Sequence, residues 1–258
     1  MTARLDRVRS YEELVAEAVA VDVTGWDFGW LDQRATEERP PWGYARILAS
    51  RLAQVDSALD VDTGGGEVVD EAEALPPRMV ATEAWWPNAS RARRRLGPRG
   101  VAVVAASADR LPFRDSTFQL VTSRHPVRPT WSEVVRVLRP GGHYLAQHVG
   151  PSSAYELIEW FVGPLPRDHQ ARDPAIETGA AEAAGLRIVD LREARCRMEI
   201  RDVGAVVYLL RKCVWWVPDF TVEQYANELR ALDARIRADG PFVAHSTRSL
   251  VEAVRPER

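Results

Sequence analysis

The chain has 258 residues, enough for one large α/β domain or two small ones, and its net charge of −3 gives no overall reason to bind nucleic acid. Apolar residues make up 46% and charged residues 28%, as in ordinary soluble enzymes. No apolar run approaches the roughly 20 residues of a membrane span, the charged start lacks a signal-peptide core, and the two cysteines form no metal-spaced cluster, so we expect a protein of the reducing cytoplasm.

Residues 1–50 have helical composition, interrupted by an aromatic-rich loop at 25–44. Several side chains of this region are candidates to exclude water from a ligand or to meet a carboxylate: Trp30, Trp42, Tyr44, Arg34 and Arg46. The alternative is that the aromatic residues only fasten an N-terminal helix to the rest of the protein. We expect 1–50 to form a lid segment beside a domain at 51–258.

Strand-like and helix-like runs alternate through the middle of the chain. The strand candidates are 57–61, 78–84, 101–106, 118–123 and 143–149, and the helix candidates are 67–75, 88–96 and 131–138. The RPGG segment at 139–142 is predicted to be a turn that ends the last of these helices. Because apolar strands separated by helices favour a parallel sheet covered on both faces, we predict a Rossmann-like, doubly wound α/β sheet of about seven strands.

The C-terminal part differs from the middle. Residues 151–240 look mostly helical, with one strand near 186–200, and a last strand is expected at 242–254. We interpret 151–240 as a helical insertion on the substrate side of the domain.

A glycine-rich turn follows the first predicted strand of the sheet. The segment LDVDTGGGE (59–67) has three consecutive glycines, with Asp60 and Asp62 just before them. A dinucleotide site has G-x-G-x-x-G spacing and holds a pyrophosphate at a helix N-terminus, and this chain lacks that spacing. Like charges about 4 Å apart repel by roughly 4 kcal/mol at an effective dielectric of about 20, so a positively charged ligand suits this turn better than a phosphate.

This segment resembles motif I of the class I S-adenosylmethionine-dependent methyltransferases of the type 11 kind, in which an acidic residue precedes G-x-G-x-G. Asp62 stands at the family's first glycine, and aspartate tolerates the left-handed backbone of such a turn. Further matches follow in order: VATEAW (80–85), SADRLPFRDSTFQLV (107–121) and EVVRVLRPGGHYL (133–145). The resemblance covers about 55–150, and it implies S-adenosylmethionine as cofactor and a last strand that runs antiparallel.

The resemblance also implies a set of cofactor-binding residues. In the family, the acid that ends the second strand, here Glu83, bonds both ribose hydroxyls, which a carboxylate can accept. Ser107 and Gln119 stand where the family has aspartates, so the pattern is not complete. The expected cofactor-binding residues are Asp60, Asp62, Thr63, Gly64, Gly65, Gly66, Glu83, Ala84, Ser107, Ala108, Asp109 and Arg124.

Each motif taken alone has a plainer interpretation. The glycines 64–66 could form an ordinary tight turn, Glu83 could be a solvated strand-end carboxylate, and the LPF segment at 111–113 could be core packing. Four matches in order and at the expected spacing favour the cofactor site.

Two histidines are the candidate catalytic residues. Methyl transfer from a sulfonium is an in-line displacement, in which the protein mainly aligns the reacting atoms, and a general base helps when the nucleophile carries a proton. His125 follows the fourth strand of the family pattern and His148 ends the fifth, and histidine suits a base at neutral pH. In the alternative interpretations, His125 bonds the backbone or packs over the cofactor, and His148 holds the substrate.

These features favour a methyltransferase that acts on an O or N atom of a small-molecule acceptor, with aromatic or secondary-metabolite compounds as options. An RNA methyltransferase stays open because RARRRLGPR (91–99) holds five arginines, although such a run is more often a solvated helix face. A non-catalytic S-adenosylmethionine-binding protein stays open because of Asp62, Ser107 and Gln119. Nucleic-acid, membrane and metal partners are not expected, and the oligomeric state is left open.

Overall fold

The computed structural model describes residues 9–166 and 172–257. These residues divide into two compact units. The helical unit comprises 9–38, 154–166 and 197–245, and the sheet unit comprises 39–153, 172–196 and 246–257.

The described chain contains one mixed sheet. Its strands are β1 (Ala35–Glu37), β2 (Ser57–Val61), β3 (Arg78–Thr82), β4 (Ala102–Val104), β5 (Phe118–Arg124), β6 (Leu138–Val149), β7 (Arg187–Ile200) and β8 (Phe242–Val254). Their order across the sheet is β1-β7-β8-β6-β5-β2-β3-β4. Strands β2 to β6 pair in parallel, whereas β8 pairs antiparallel with β6. This arrangement confirms the predicted α/β fold and its antiparallel last strand.

The sheet has eight strands, against the predicted count of about seven. The additional strand is β1, three residues within the aromatic-rich loop, which pairs antiparallel with residues 198–200 of β7. Its sequence, ATE, is too short to show a periodic strand pattern. The other predicted strands all occur, and the predicted bounds of β2 and β8 agree with the structure.

Helices cover both faces of the sheet within the sheet unit. The helices of the described chain are α1 (Tyr11–Ala20), α2 (Tyr44–Leu52), α3 (Glu67–Asp70), α4 (Trp86–Leu96), α5 (Trp131–Val137), α6 (Tyr155–Val162), α7 (Pro174–Ala183), α8 (Val203–Lys212) and α9 (Ala226–Asp239). One core packs α2, α3 and α4 against the sheet, and the other packs α5 and α7. Neighbouring strand residues such as Leu120 and Val121 enter opposite cores, as the pleat requires.

Two local expectations need correction. The helix predicted at 67–75 ends at Asp70, because Arg99 binds the carbonyls of Asp70 and Ala72 that a longer helix would use. The RPGG segment lies inside β6 and is not a separate turn before it. A register shift between Phe118 and Leu120 accommodates it, and Gly141 there has a φ of 75°.

The helical unit has its own core around α8. Nine of the ten residues of α8 are buried, as expected for a helix that is apolar on all sides. Trp30 from the aromatic-rich loop stacks on Tyr208 of α8, with ring centroids 4.9 Å apart. Arg34 lies over the Trp30 ring and bonds Glu17 at 2.5 Å, so its guanidinium already has a carboxylate partner inside this unit.

Candidate active site

The carboxyl ends of neighbouring parallel strands meet at one edge of the sheet unit. The register pairs Val61, which ends β2, with Ser123 of β5, and it pairs Arg124, which ends β5, with Gln147 of β6. The glycine turn follows β2 directly and His125 follows β5 directly. Both therefore lie at the edge where open α/β sheets bind ligands.

The glycine turn starts in a left-handed backbone conformation at Asp62, where φ is 55°. Gly64 and Gly66 also have positive φ values, of 62° and 81°. A Cβ atom on Gly66 would lie 2.8 Å from the Leu96 side chain of α4. The aspartate is therefore accommodated in the turn, and glycine at position 66 lets α4 pack closely beneath it.

Two contacts hold the turn against its neighbours. The Thr63 amide donates to the Thr82 carbonyl of β3 at 2.9 Å. The Arg95 guanidinium donates to the Gly65 carbonyl at 2.5 Å and pairs with Glu67. Arg95 therefore binds the turn to α4. In the sequence alone, it is only one arginine of a basic segment.

Asp60 is buried at the end of β2, beneath the turn. Thr122 donates to one of its carboxylate oxygens at 2.6 Å. Burial raises its pKa to about 6, against a lowering effect of the hydrogen bond from Thr122. The Asp60 carboxylate thus links the end of β2 to β5.

Asp62 is partly buried and is one of three carboxylates at the turn. Its pKa is raised to about 6, first by burial and then by the negative charges of Glu83 and Asp109. Glu83 is the first residue after β3, and Asp109 lies in the loop after β4. Glu83 and Asp109 therefore disfavour the ionised form of Asp62, and a cation bound beside Asp62 would offset that repulsion.

Glu83 is buried and is oriented by backbone donors. One of its carboxylate oxygens accepts the Gly64 amide at 3.0 Å, and the other accepts the Trp85 amide at 2.8 Å. Each carboxylate oxygen has two lone pairs, so acceptor capacity remains on both oxygens. Its carboxylate thus joins the glycine turn to the residues after β3.

The other predicted cofactor residues lie in more open positions. Ala84, Ser107 and Asp109 are exposed, and Ala108 is partly exposed. Thr130 donates to Asp109 at 2.9 Å, and the Asp109 amide donates to the Ser107 hydroxyl at 3.3 Å. The structure thus places them in loops that follow β3 and β4, on the same side as the glycine turn.

Two exposed tryptophans follow Glu83 and were not predicted as site residues. Trp85 is 50% exposed and Trp86 is 63% exposed. Their position directly after the strand-end acid, in the string VATEAWW, is a sequence signal that could have identified them.

His125 is fixed by Gln147 of β6. The His125 amide donates to the Gln147 carbonyl at 2.7 Å, and the two side chains meet at 3.0 Å between Nε2 atoms. Trp42 Nε1 donates to Gln147 Oε1 at 2.9 Å. Burial lowers the pKa of His125 well below its ordinary value, so its ring is neutral at pH 7.

His148 is buried and has a partner at each ring nitrogen. Its Nδ1 lies 2.5 Å from the Glu177 carboxylate of α7, and its Nε2 lies 3.2 Å from the Tyr144 hydroxyl. Burial raises the pKa of Tyr144 well above its ordinary value, and Glu177, Asp62 and Asp60 add to that effect. Tyr144 therefore contacts His148 directly and feels the negative charges of Glu177, Asp62 and Asp60.

The second half of the aromatic-rich loop belongs to the sheet unit. Tyr44 is buried, and its hydroxyl donates to the Ser123 carbonyl at 3.0 Å. Trp42 is also buried and reaches Gln147, as described above. Arg46 is exposed on α2. The side chains of Trp42 and Tyr44 therefore support the ends of β5 and β6.

The basic segment 91–99, which spans the end of α4 and the residues after it, carries internal ion pairs. Arg95 pairs with Glu67, and Arg99 pairs with Asp70 at 3.2 Å. Arg93 donates to the Val103 carbonyl at 3.2 Å. The charges of Arg95 and Arg99 are thus already matched by acids of the sheet unit.

Within residues 9–166 and 172–257, no group of three or more histidine, cysteine or acidic side chains could hold a metal ion. No helix among these residues is both long enough and apolar enough to cross a membrane.

Residues 59–146 match the family model described as a methyltransferase domain. The chain is also 30% identical over 114 residues to the ubiquinone/menaquinone biosynthesis C-methyltransferase UbiE of Desulfotalea psychrophila. That match covers 40% of this chain and 46% of the relative, so the chain spans less than half of the relative's length.

Solved structures share the fold at low sequence identity. The YcgJ protein of Bacillus subtilis has a TM-score of 0.60 and 17% identity, covering 83% of this chain and 99% of its own. Geranyl diphosphate methyltransferase in complex with S-adenosylmethionine has a TM-score of 0.51 and 14% identity, covering 82% of this chain and 84% of its own. The [4+2]-cyclase SpnF has a TM-score of 0.51 and 16% identity, covering 82% of this chain and 80% of its own. Residues 59–146 are therefore similar to a methyltransferase domain, and the described chain shares the Rossmann-like α/β fold of these solved structures.

Proposed function

We propose that this chain is an S-adenosylmethionine-dependent methyltransferase that acts on a small-molecule acceptor. The observation that carries the proposal is the glycine turn itself: its Gly64 amide donates to the buried Glu83 carboxylate, and the negative charges of Glu83 and Asp109 disfavour the ionised form of Asp62. A pyrophosphate would add to this repulsion, whereas a ligand with a sulfonium and an ammonium would offset it.

The residues at this edge fit such a cofactor. Bound S-adenosylmethionine supplies a methyl group on positively charged sulfur, which is activated for in-line displacement. Glu83 would accept the ribose hydroxyls with the lone pairs that Gly64 and Trp85 leave open. Asp62 would face the ammonium end of the cofactor. Ser107, Ala108 and Asp109 would flank its adenine ring.

The relatives support a small-molecule acceptor. One is named as a C-methyltransferase of ubiquinone/menaquinone biosynthesis, and one fold neighbour as a geranyl diphosphate methyltransferase. The acceptor atom that receives the methyl group is therefore carbon, oxygen or nitrogen. The ion pairs of Arg95 and Arg99 remove part of the charge that would favour RNA.

Calorimetric titration of the purified protein with S-adenosylhomocysteine tests the cofactor assignment, with NAD as a parallel ligand. We expect binding of the first and not of the second. Glu83→Ala should weaken binding by about 1.5–3 kcal/mol, because hydrogen bonds to a charged group are lost. Glu71→Ala is the matched control, since Glu71 is an exposed carboxylate beyond the turn.

Binding of NAD, or unchanged affinity in Glu83→Ala, would contradict the cofactor assignment. A screen of acceptors with methyl-labelled S-adenosylmethionine then tests the activity itself. Cofactor binding without transfer to any small molecule or RNA would favour a non-catalytic role.

A further inference from the structure

The hydrogen bonds from Trp42 to Gln147 to His125 have only one possible direction. An indole N–H can only donate, so the Gln147 atom 2.9 Å from Trp42 must be the carbonyl oxygen of its amide. The amide nitrogen of Gln147 then faces His125 Nε2 at 3.0 Å and must donate to it. A reversed amide would set two donors against each other at Trp42.

This direction determines the tautomer of the imidazole. His125 Nε2 accepts a hydrogen bond and carries no proton, so the proton of the neutral ring is on Nδ1. Within the described chain, Nδ1 has no protein partner and is not among the buried unpaired polar atoms, so it faces accessible space. His125 therefore presents a donor at the site, and its lone pair is engaged by Gln147.

The surroundings of His125 are positively charged. Burial is the largest cause of the lowered pKa of His125, and the positive charges of Arg248, Arg124 and Arg172 lower it further. Arg124 ends β5, and Arg248 lies in β8 opposite Val149, the last residue of β6. The edge thus has acidic groups around the glycine turn and basic groups around His125.

We propose that His125 acts as a hydrogen-bond donor to an anionic oxygen of the methyl acceptor, and that Gln147 is the positioning residue that keeps it in this form. The acceptor class is then a small molecule with a carboxylate, phenolate or enolate. This inference rests on the proposed function, and it replaces the general base expected at His125.

An anionic acceptor needs no base. Its oxygen, or the carbon conjugated to that oxygen, supplies the electron pair for the new bond to the methyl carbon. The bond from that carbon to sulfur breaks, with its electron pair remaining on sulfur. The negative charge of the acceptor and the positive charge of the sulfonium disappear together, and the methyl-transfer step itself moves no proton.

Nitrogen NMR of the labelled protein tests the tautomer without any acceptor. We expect the His125 signal, identified by its loss in His125→Asn, to show a protonated Nδ1 and an unprotonated Nε2. Gln147→Glu should reverse this, because a carboxylate can only accept and must draw the proton to Nε2. A protonated Nε2 in the wild-type protein would overturn the assignment.

Ligand binding tests the acceptor class. Benzoate is titrated in the presence of S-adenosylhomocysteine, with benzamide as the neutral probe of the same shape. We expect benzoate to bind more tightly, and His125→Gly, which suits the φ of 58° at this position, to weaken it roughly 10- to 100-fold. His125→Asn retains an N–H near the Nδ1 position and should stay within about threefold of wild type.

Equal binding of benzoate and benzamide, or an equal loss in the glycine and asparagine variants, would overturn the donor role. S-adenosylhomocysteine binding is measured separately in each variant. If the wild-type protein does not bind S-adenosylhomocysteine, the proposed function is contradicted. The donor role of His125 is decided separately, by the NMR tautomer and by the preference for benzoate over benzamide.

Discussion

Asp60 and Asp62 are both acidic residues with a pKa of about 6, but they reach it in different ways. Asp60 is held under the turn, where burial opposes the hydrogen bond from Thr122. Asp62 has other carboxylates as neighbours in addition to burial. The ordinary aspartate pKa, which applies to the unfolded chain, is lower than this. Each residue therefore lowers the free energy of unfolding as the pH rises from about 4 to above 6.

The pH dependence of cofactor binding follows from Asp62. A bound ammonium favours the ionised carboxylate, so the pKa of Asp62 should be lower in the complex than the value of about 6 in the free protein. Binding then releases a proton below pH 6, and affinity for S-adenosylhomocysteine should fall by up to about tenfold per pH unit there. Above that pH, it should level off.

Calorimetry at several pH values, with Asp62→Asn as the variant, measures this effect. Asparagine tolerates the left-handed backbone at this position but carries no charge, so the variant should bind more weakly at pH 7.5 and lose most of the dependence below pH 6. Asp115→Asn, at an exposed carboxylate, is the control. An unchanged profile in Asp62→Asn would remove the contact with the positive end of the cofactor.

At the scale of the elements, the contact between the glycine turn and α4 depends on the missing side chain of Gly66. Gly66→Ala would place a Cβ 2.8 Å from Leu96 on a backbone with φ of 81°. We expect a loss of about 1–3 kcal/mol in the free energy of unfolding, measured by urea denaturation. Weaker S-adenosylhomocysteine binding should accompany it.

Gly97→Ala is the matched control. Gly97 has a helical φ of −54°, and no atom lies within 4 Å of a Cβ built there. Alanine should leave stability unchanged or raise it by about 0.4–1 kcal/mol. Equal effects of the two substitutions would mean that Gly66 is not needed for the packing of α4.

The strands could be predicted from the sequence because apolar periodicity and turn residues act locally. β2 and β8 have the predicted bounds, and the parallel order follows from the alternation of strands and helices. The length of α3 could not be predicted, because the carbonyls that would extend it are bound by Arg99 from beyond α4. β1 was missed because it exists only through its pairing with β7.

The candidate site was predictable only in part, for a similar reason. The glycine turn, Glu83 and the histidines occur in local strings with a recognisable pattern. The partners that set their chemistry are distant in sequence: Trp42 contacts Gln147, and His148 contacts Glu177. Pattern alone suggested a base at His125, whereas its hydrogen bonds support a donor.

At the scale of the whole molecule, charge separates the small-molecule and RNA alternatives. The net charge is −3, and the arginines at 91–99 include several with internal partners. We expect no binding of mixed tRNA tighter than the roughly 1–100 μM of non-specific association at physiological salt, measured by filter retention. A basic RNA-binding protein is the positive control, and submicromolar, salt-dependent binding would favour the RNA alternative.

The orientation of the Gln147 amide also bears on how this site could evolve. Glutamine and glutamate codons differ by a single base, and the two side chains have almost the same shape. That one change would replace the donor facing His125 with an acceptor while leaving the bond from Trp42 in place. A lineage could thus move between anionic and proton-bearing acceptors through a residue that acts by way of His125.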